Sequence, residues 1–267
     1  AAPFVLAGQI DLFGPAPWNT MHIVMSGNLE HMTINLIAEK PGANAKLNAH
    51  LRPFSANPLT QLDVDAQQLN PASFFPEAPT ASLTVAAHLA TAGDERLAGT
   101  IHIHNSAALP IDQKGLPFSS IHAHATISHE SVQLTDLHAE IGKNETLRGD
   151  LIWQWKARSA SALIHVQQVD PQHIDSRIHT GRVSGQIALA ADAHRQSAQV
   201  SLKDRAFDLS ANIAHSGEVI TVEQFLLRRN QSRLTGHGKL DFSEKRAFQL
   251  TAQLSNFNIA EFIRAPA

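Results

Sequence analysis

Ile121-His122-Ala123-His124-Ala125-Thr126-Ile127 decides the fold. Apolar residues take one set of alternate positions and polar residues the other. Successive side chains of a strand point to opposite faces, so this period of two describes a strand with one dry face and one wet face. The alternation continues in both directions. Upstream, Leu83, Val85, Ala87 and Leu89 alternate with Thr84, Ala86 and His88, and Ile101 and Ile103 with His102 and His104. Downstream it runs through Val183, Gly185, Ile187, Leu189 and Ala191, then Phe207, Leu209, Ala211 and Ile213. It resumes in Leu234, Gly236, Gly238, Leu240 and Phe242, and again in Phe248, Leu250, Ala252 and Leu254. Such strands pair antiparallel, because an all-parallel sheet is buried on both faces. Pro41-Gly42, Gly93-Asp94, Gly142-Lys143-Asn144 and Ser216-Gly217 are turn signals between runs. About 18 strands and no long helix are expected, since no stretch holds a period of 3.6 for about 12 residues. The fold class is all-β and antiparallel, with a few short helical turns.

Three places break the alternation in one way: Leu69-Asn70-Pro71, Val169-Asp170-Pro171 and Phe257-Asn258-Ile259. An Asn or Asp side chain accepts hydrogen bonds from the free N–H groups of a first helical turn. Pro just after the cap already has helical φ and lacks only an N–H that would be unpaired there. Each place therefore predicts a short capped helix at a strand end. The caps stand 100 and 88 residues apart. A small residue, Ala49, Gly149 or Gly238, precedes each by 21, 21 and 20 residues. Asn70 to Leu83 and Asp170 to Val183 are both 13 residues. Ile101-His102-Ile103-His104-Asn105 aligns with Val200-Ser201-Leu202-Lys203-Asp204, and the first copy carries an extra loop around Leu109 to Pro117. This predicts one elongated β-repeat array over residues 1–267, with approximate units 1–78, 79–174 and 175–267.

The composition limits the function classes. Of 267 residues, 43% are apolar and 17% charged, and the net charge is -3 with sixteen His counted neutral. No basic patch points to nucleic acid. Cys and Tyr are absent, which excludes disulfides and thiolate metal sites. No run approaches the roughly 18 apolar residues of a membrane helix. The chain begins Ala1-Ala2-Pro3, without Met and without a signal peptide, so it reads as a piece of a longer protein.

Catalytic motifs are missing. There is no Gly-x-Ser-x-Gly elbow, His129-Glu130 lacks the second His of a zincin, and Gly236-His237-Gly238 lacks its third Gly. Asp63 and Asp65 share one strand face, as solvated carboxylates commonly do. Alternate His, as in His102/His104 and His122/His124, could bind a metal if the two strands were neighbours. Their alternation with Ile and Ala reads instead as His filling a wet face. The expectation is a protein that is not an enzyme, with no metal and no cofactor.

The order and spacing of several segments resemble the TamB/AsmA-like proteins of Gram-negative bacteria. The segments are Leu147-Arg148-Gly149-Asp150-Leu151, Leu234 to Leu240, Leu62 to Pro71, the loop Asn105 to Pro117, and Ala247 to Ala252 closed by Phe257-Asn258. The resemblance implies an elongated antiparallel sheet curled into a trough, the β-taco or repeating β-groove, in a periplasmic protein whose parent is anchored in the inner membrane. It implies two roles: passing phospholipid toward the outer membrane, or helping outer-membrane proteins such as autotransporters assemble beside a BamA-like outer-membrane barrel. It brings no catalytic residues.

The residues by themselves reach the same place with less precision. A half-apolar sheet must cover its dry face with another sheet, with helices or with a ligand. Each buried CH₂ is worth roughly 0.8 kcal/mol, so about 30 methylenes of a two-chain lipid are worth on the order of 25 kcal/mol. A greasy slot lowers that barrier for a lipid crossing water. The groove candidates are Leu83, Val85, Ile101, Ile103, Leu151, Trp153, Val183, Ile187, Leu189, Leu240, Phe242 and Leu250. Ile187→Asp is expected to block the slot and leave the sheet folded. Three rival readings remain. An outer-membrane barrel would need aromatic girdles that zero Tyr and three Trp do not supply. A β-helix would need repeats of about 20 to 25 residues. A scaffold for nascent outer-membrane strands would use the same sheet through its edges.

Overall fold

The alternating runs form strands, and the turn signals end them. The computed structural model describes residues 4–14, 18–55, 57–93, 96–243 and 246–262. Ala1-Ala2-Pro3 and Asp94 of the Gly93-Asp94 turn lie outside the described residues. Seventeen strands occur among the described residues. They belong to two units, Ala1–Asp136 and Leu137–Ala267. The first unit holds β1 (Val5–Phe13), β2 (Thr20–Asn28), β3 (Met32–Lys40), β4 (Ala43–Leu51), β5 (Leu59–Leu69), β6 (Leu83–Thr91), β7 (Leu97–Asn105) and β8 (Ser120–Ile127). The chain passes from one unit to the other within β9 (Ser131–Gly142). The second unit holds β10 (Glu145–Gln154), β11 (Ser159–Val169), β12 (Val183–Ala191), β13 (Arg195–Lys203), β14 (Phe207–Ser216), β15 (Val219–Arg229), β16 (Ser232–Asp241) and β17 (Phe248–Ser255). From β1 to β8, and from β10 to β17, each strand is antiparallel to the next. Both units are thus antiparallel sheets with almost no helix, as the alternation predicts.

All three expected caps are present. Asn70 accepts from the Ala72 N–H, Asp170 from the Gln172 N–H and Asn258 from the Ala260 N–H. The helices they start are single turns, Pro71–Ser73, Pro171–Ile174 and Ile259–Glu261. A fourth turn, Ile111–Gln113, lies in the extra loop of the first copy.

The three cap sites share a local geometry. The residue two before each cap is left-handed: Gln68 (φ 55°), Gln168 (φ 52°) and Asn256 (φ 46°). In β5 and β11 it sits in a bulge, between Ala66 and Leu69 and between Val166 and Val169. A bulge bends its strand and re-aims the chain. The cap oxygen then takes a second donor eleven residues on, the Ala81 N–H (3.3 Å) after Asn70 and the Gly181 N–H (3.1 Å) after Asp170. Asn105 accepts from the Ser82 N–H, and Asp204 from the Arg182 N–H, so the two aligned segments do the same work. β4, β10 and β16 each start on a buried residue: Ala43, Glu145 and Ser232. Glu145 accepts from the Asp170 N–H (3.1 Å), and Ser232 Oγ from the Asn258 N–H (3.0 Å).

Large side chains are seldom fully buried. The first unit has one compact cluster, Leu89, Leu97 and Ala125 with Leu59, Leu62, Ile101, Ile127 and Leu134 around it. The second has Val166, Val169 and Val183, with Ile141, Leu147, Ile174, Ile187, Leu202 and Phe207 around them. Most other buried apolar residues are Ala. Within each unit the sheet is one layer thick.

Candidate functional site: an apolar face without a second layer

Strand register collects the alternate apolar residues onto one face. Across the first unit a single line of directly paired residues reads Ile10, Ile23, Leu36, Leu47, Val64, Ala87, Ile101 and Ala123. Across the second it reads Leu151, Ala162, Leu189, Ala198, Ile213, Val222, Gly238 and Leu250. Each line crosses eight strands, roughly 34 Å at a strand spacing of about 4.8 Å. No polar side chain interrupts either line. A one-residue slip anywhere would have carried the rest of the line to the wet face. The bulges in β5, β11 and β15 are followed by recovery of the same face.

The expected groove residues fall on this face as follows. Leu83, Val85, Ile101 and Ile103 are on it in the first unit, on β6 and β7. Leu151, Trp153, Val183, Ile187, Leu189, Leu240 and Leu250 are on it in the second. Phe242 lies just past the end of β16 and is exposed. The twelve differ in environment. Val183 is buried and Ile187 packs against the Val166–Val169–Val183 cluster, so both belong to the small core. Leu189 is 41% exposed and Leu250 70%.

In the second unit the apolar face holds a depression of about 420 Å³, lined by Leu151, Ala162, Leu189, Ala198 and Ile213 with Gln196 and His215 at one side. That volume lies in the ordinary range of small-molecule sites. The first unit has a depression of about 600 Å³, and it opens on the other face, among Asn35, Lys46, Asn48, Asp63, Asp65 and His88. A twisted sheet is saddle-shaped, so each face is concave along one diagonal. Alternation assigns residues to faces but not the diagonal on which a face becomes hollow.

The wet face of the first unit gathers the histidines. His88 is hydrogen-bonded to Asp63, and His22 to Asp11, each across neighbouring strands. The carboxyls of Asp63 and Asp11 lie below the usual carboxylate range, chiefly because of these histidine bonds. His102 and His122 are directly paired, their ring centroids 4.4 Å apart, and His124 stands edge-on to His122. No group of three or more ligating side chains suited to a metal occurs among the described residues. The carboxylate partners of His22 and His88 were not foreseen from the sequence, because they depend on which strands are neighbours and in what register.

No known family profile, no characterised protein and no solved structure matches this chain.

Proposed function

We propose that the apolar face is a binding surface for acyl chains, and that the chain is a non-catalytic lipid conduit of the TamB/AsmA-like kind, working in the periplasm between the inner and outer membranes. The observation that carries the reading is the unbroken apolar line over eight strands in each unit, left half-open by a one-layer sheet. Monomeric soluble proteins seldom leave apolar patches of such extent uncovered, and those that do commonly bind a partner or ligand there. The lining is mostly aliphatic, with Gln196 and His215 paired at one side, which suits chains of variable length and saturation.

The test is native mass spectrometry of protein purified without detergent from a Gram-negative host. Phospholipid is expected to co-purify and to be lost in Leu189→Asp. That position is preferred to Ile187, whose side chain supports the core cluster, so that Ile187→Asp would disturb the fold as well as the face. A folded wild-type protein free of lipid would overturn the conduit.

A second reading is a scaffold for outer-membrane strands, in which a BamA-like barrel is the partner. It is favoured by β17, every residue of which is exposed while it pairs only with β16 among the strand registers of its unit. A strand with every residue exposed is a surface on which an unfolded strand can be received. Cross-linking from β17 to an unfolded outer-membrane protein, with no lipid bound, would support it over the conduit.

A further inference from the structure

The wet face of the first unit carries an order that the strand ladder does not require. Directly paired residues of β3 to β8 form one unbroken polar row: Asn35, Asn48, Asp63, His88, Thr100 and His124. At a strand spacing of about 4.8 Å the row is roughly 24 Å long. Several members are fixed across the strands. Asn48 Nδ2 donates to Asn35 Oδ1 (2.5 Å), and His88 is hydrogen-bonded to Asp63. Beside this row runs a second, Ile37, Lys46, Asp65, Ala86 and His102, in which Ala86 has the smallest side chain. The depression of about 600 Å³ lies where the two rows run side by side, and residues of β3 to β7 line it. Its volume is that of a ligand site.

The groups around it suit an uncharged polar ligand. Lys46 is directly paired with Asp65 and His88 is bonded to Asp63, so each carboxylate has a basic neighbour and neither sign prevails. The Asn pair leaves Asn35 Nδ2 and Asn48 Oδ1 unused. Among the described residues, the side chains of Lys46, Thr100 and His102 make no hydrogen bond or ion pair. Donors and acceptors therefore stand along the hollow, beside an apolar floor of Ala86 and Ile37, which is 38% exposed. A sugar uses both kinds of surface. Its hydroxyls donate and accept, and its ring presents C–H groups on the flat faces. Spacing narrows the class further. An extended pyranose chain advances by close to one strand spacing per ring, so its rings keep step with the rows. An extended peptide rises about 3.4 Å per residue and does not.

We propose that this hollow binds an extended, uncharged glycan that crosses β3 to β7 at one sugar ring per strand. The site is on the opposite face of the first unit from the apolar line and does not rest on the acyl-chain reading. The test is isothermal titration calorimetry of the full chain with cellobiose, cellotriose, cellopentaose and cellohexaose, and with the matching chitooligosaccharides. In at least one series affinity is expected to rise as far as the pentamer and no further, the pentamer binding about tenfold tighter than the dimer or more. Ala86→Arg fills the hollow from an exposed position beside Asp65. It should weaken pentamer binding more than about tenfold with unchanged far-UV dichroism and thermal midpoint. Thr100→Val removes one hydroxyl at nearly constant volume and should weaken it about fivefold, the worth of one hydrogen bond.

A folded protein that binds neither series would overturn the proposal. So would equal affinity for dimer and pentamer, since the rows would then play no part, or wild-type affinity in both variants. Tighter binding of an oligogalacturonide of the same length would make an acidic chain the ligand and would overturn it too. Glycan binding by protein that carries no extracted lipid would uphold this site while the conduit fails.

Discussion

Single side chains fix the strand ends, and the caps show how far their work can be read in advance. An Asn or Asp followed by Pro is a local signal, so Asn70 and Asp170 identify their helices without reference to the rest of the chain. Their second bond, to an N–H eleven residues on, depends on where the returning strand lands, and no local pattern encodes it. The left-handed Gln68 and Gln168 are less legible still, because Gln carries none of the turn preference of Gly or Asn. Asp170→Ala removes the acceptor for both Gln172 and Gly181 and is expected to cost about 1–2 kcal/mol in urea unfolding. Asp170→Asn should stay within about 0.5 kcal/mol, since Asn serves at the two equivalent positions. Equal losses in both variants would show that the carboxylate charge, not the cap geometry, matters there. The Asp63–His88 pair gives a second prediction. The Asp63 carboxyl is depressed in the folded state by its hydrogen bond to His88, so the folded protein binds that proton less readily than the unfolded chain. The pair's contribution is therefore complete above the ordinary carboxylate value of about 4 and is lost as pH falls through the lower folded value. His88→Ala should flatten the fall in unfolding free energy between about pH 5 and about pH 2. The effect is small because both groups are partly solvated, and an unchanged slope would show that the bond does not persist in solution.

At the level of the strand, period two predicts which residues share a face, and register decides what that face meets. Val183, Ile187, Leu189 and Leu250 are indistinguishable in the sequence, as alternate apolar residues of a strand. In the folded chain Val183 is buried, Ile187 props the Val166–Val169–Val183 cluster, Leu189 lines a depression and Leu250 is 70% exposed. The difference comes from the bulge between Val166 and Val169, which brings β11 against the start of β12 and closes a small core there. Glycine has a similar hidden reason. A Cβ at Gly149 would lie 2.0 Å from the Leu163 carbonyl oxygen on β11. Gly149→Ala must therefore push β10 and β11 apart, and a loss of about 1–3 kcal/mol with protection lost first in these two strands is the expected hydrogen-exchange result. The exposed strand β17 supports an opposite kind of change. Phe248, Leu250 and Leu254 are 77%, 70% and 60% exposed, and charge on so exposed an apolar strand discourages association. Leu250→Lys should reduce concentration-dependent self-association in sedimentation without lowering stability. If stability falls instead, that side chain is packing in solution.

Across whole units, the architecture follows from one constraint, that each strand touches the strands before and after it in the chain. Element contacts within each unit are dominated by such consecutive pairs, β1 with β2 through to β7 with β8, and β10 with β11 through to β16 with β17. Little of the stabilising contact therefore joins residues far apart in the ladder, unlike a sandwich, where a second layer ties every strand to one core. The alternation announced this all-β plan, and the cap residues Asn70, Asp170 and Asn258 announced its single helical turns. What they left open was the coverage of the apolar face, because a dry face reads alike whether a second sheet or a ligand lies over it. The thin core answers part of that: among the described residues its two clusters hold three buried residues each. In a ladder of nearest neighbours, unfolding can begin in one stretch while another persists, and two-state behaviour is not assured. The tryptophans lie where they can report this, Trp18 in the first unit and Trp153 with Trp155 in the second. Urea unfolding followed by fluorescence in Trp18→Phe and in the double variant Trp153→Phe with Trp155→Phe should give midpoints that differ. Each should also depart from the far-UV dichroism of the same variant. Coincident transitions by both probes would mean that the stretches unfold as one, and that contacts beyond the strand ladder carry much of the stability.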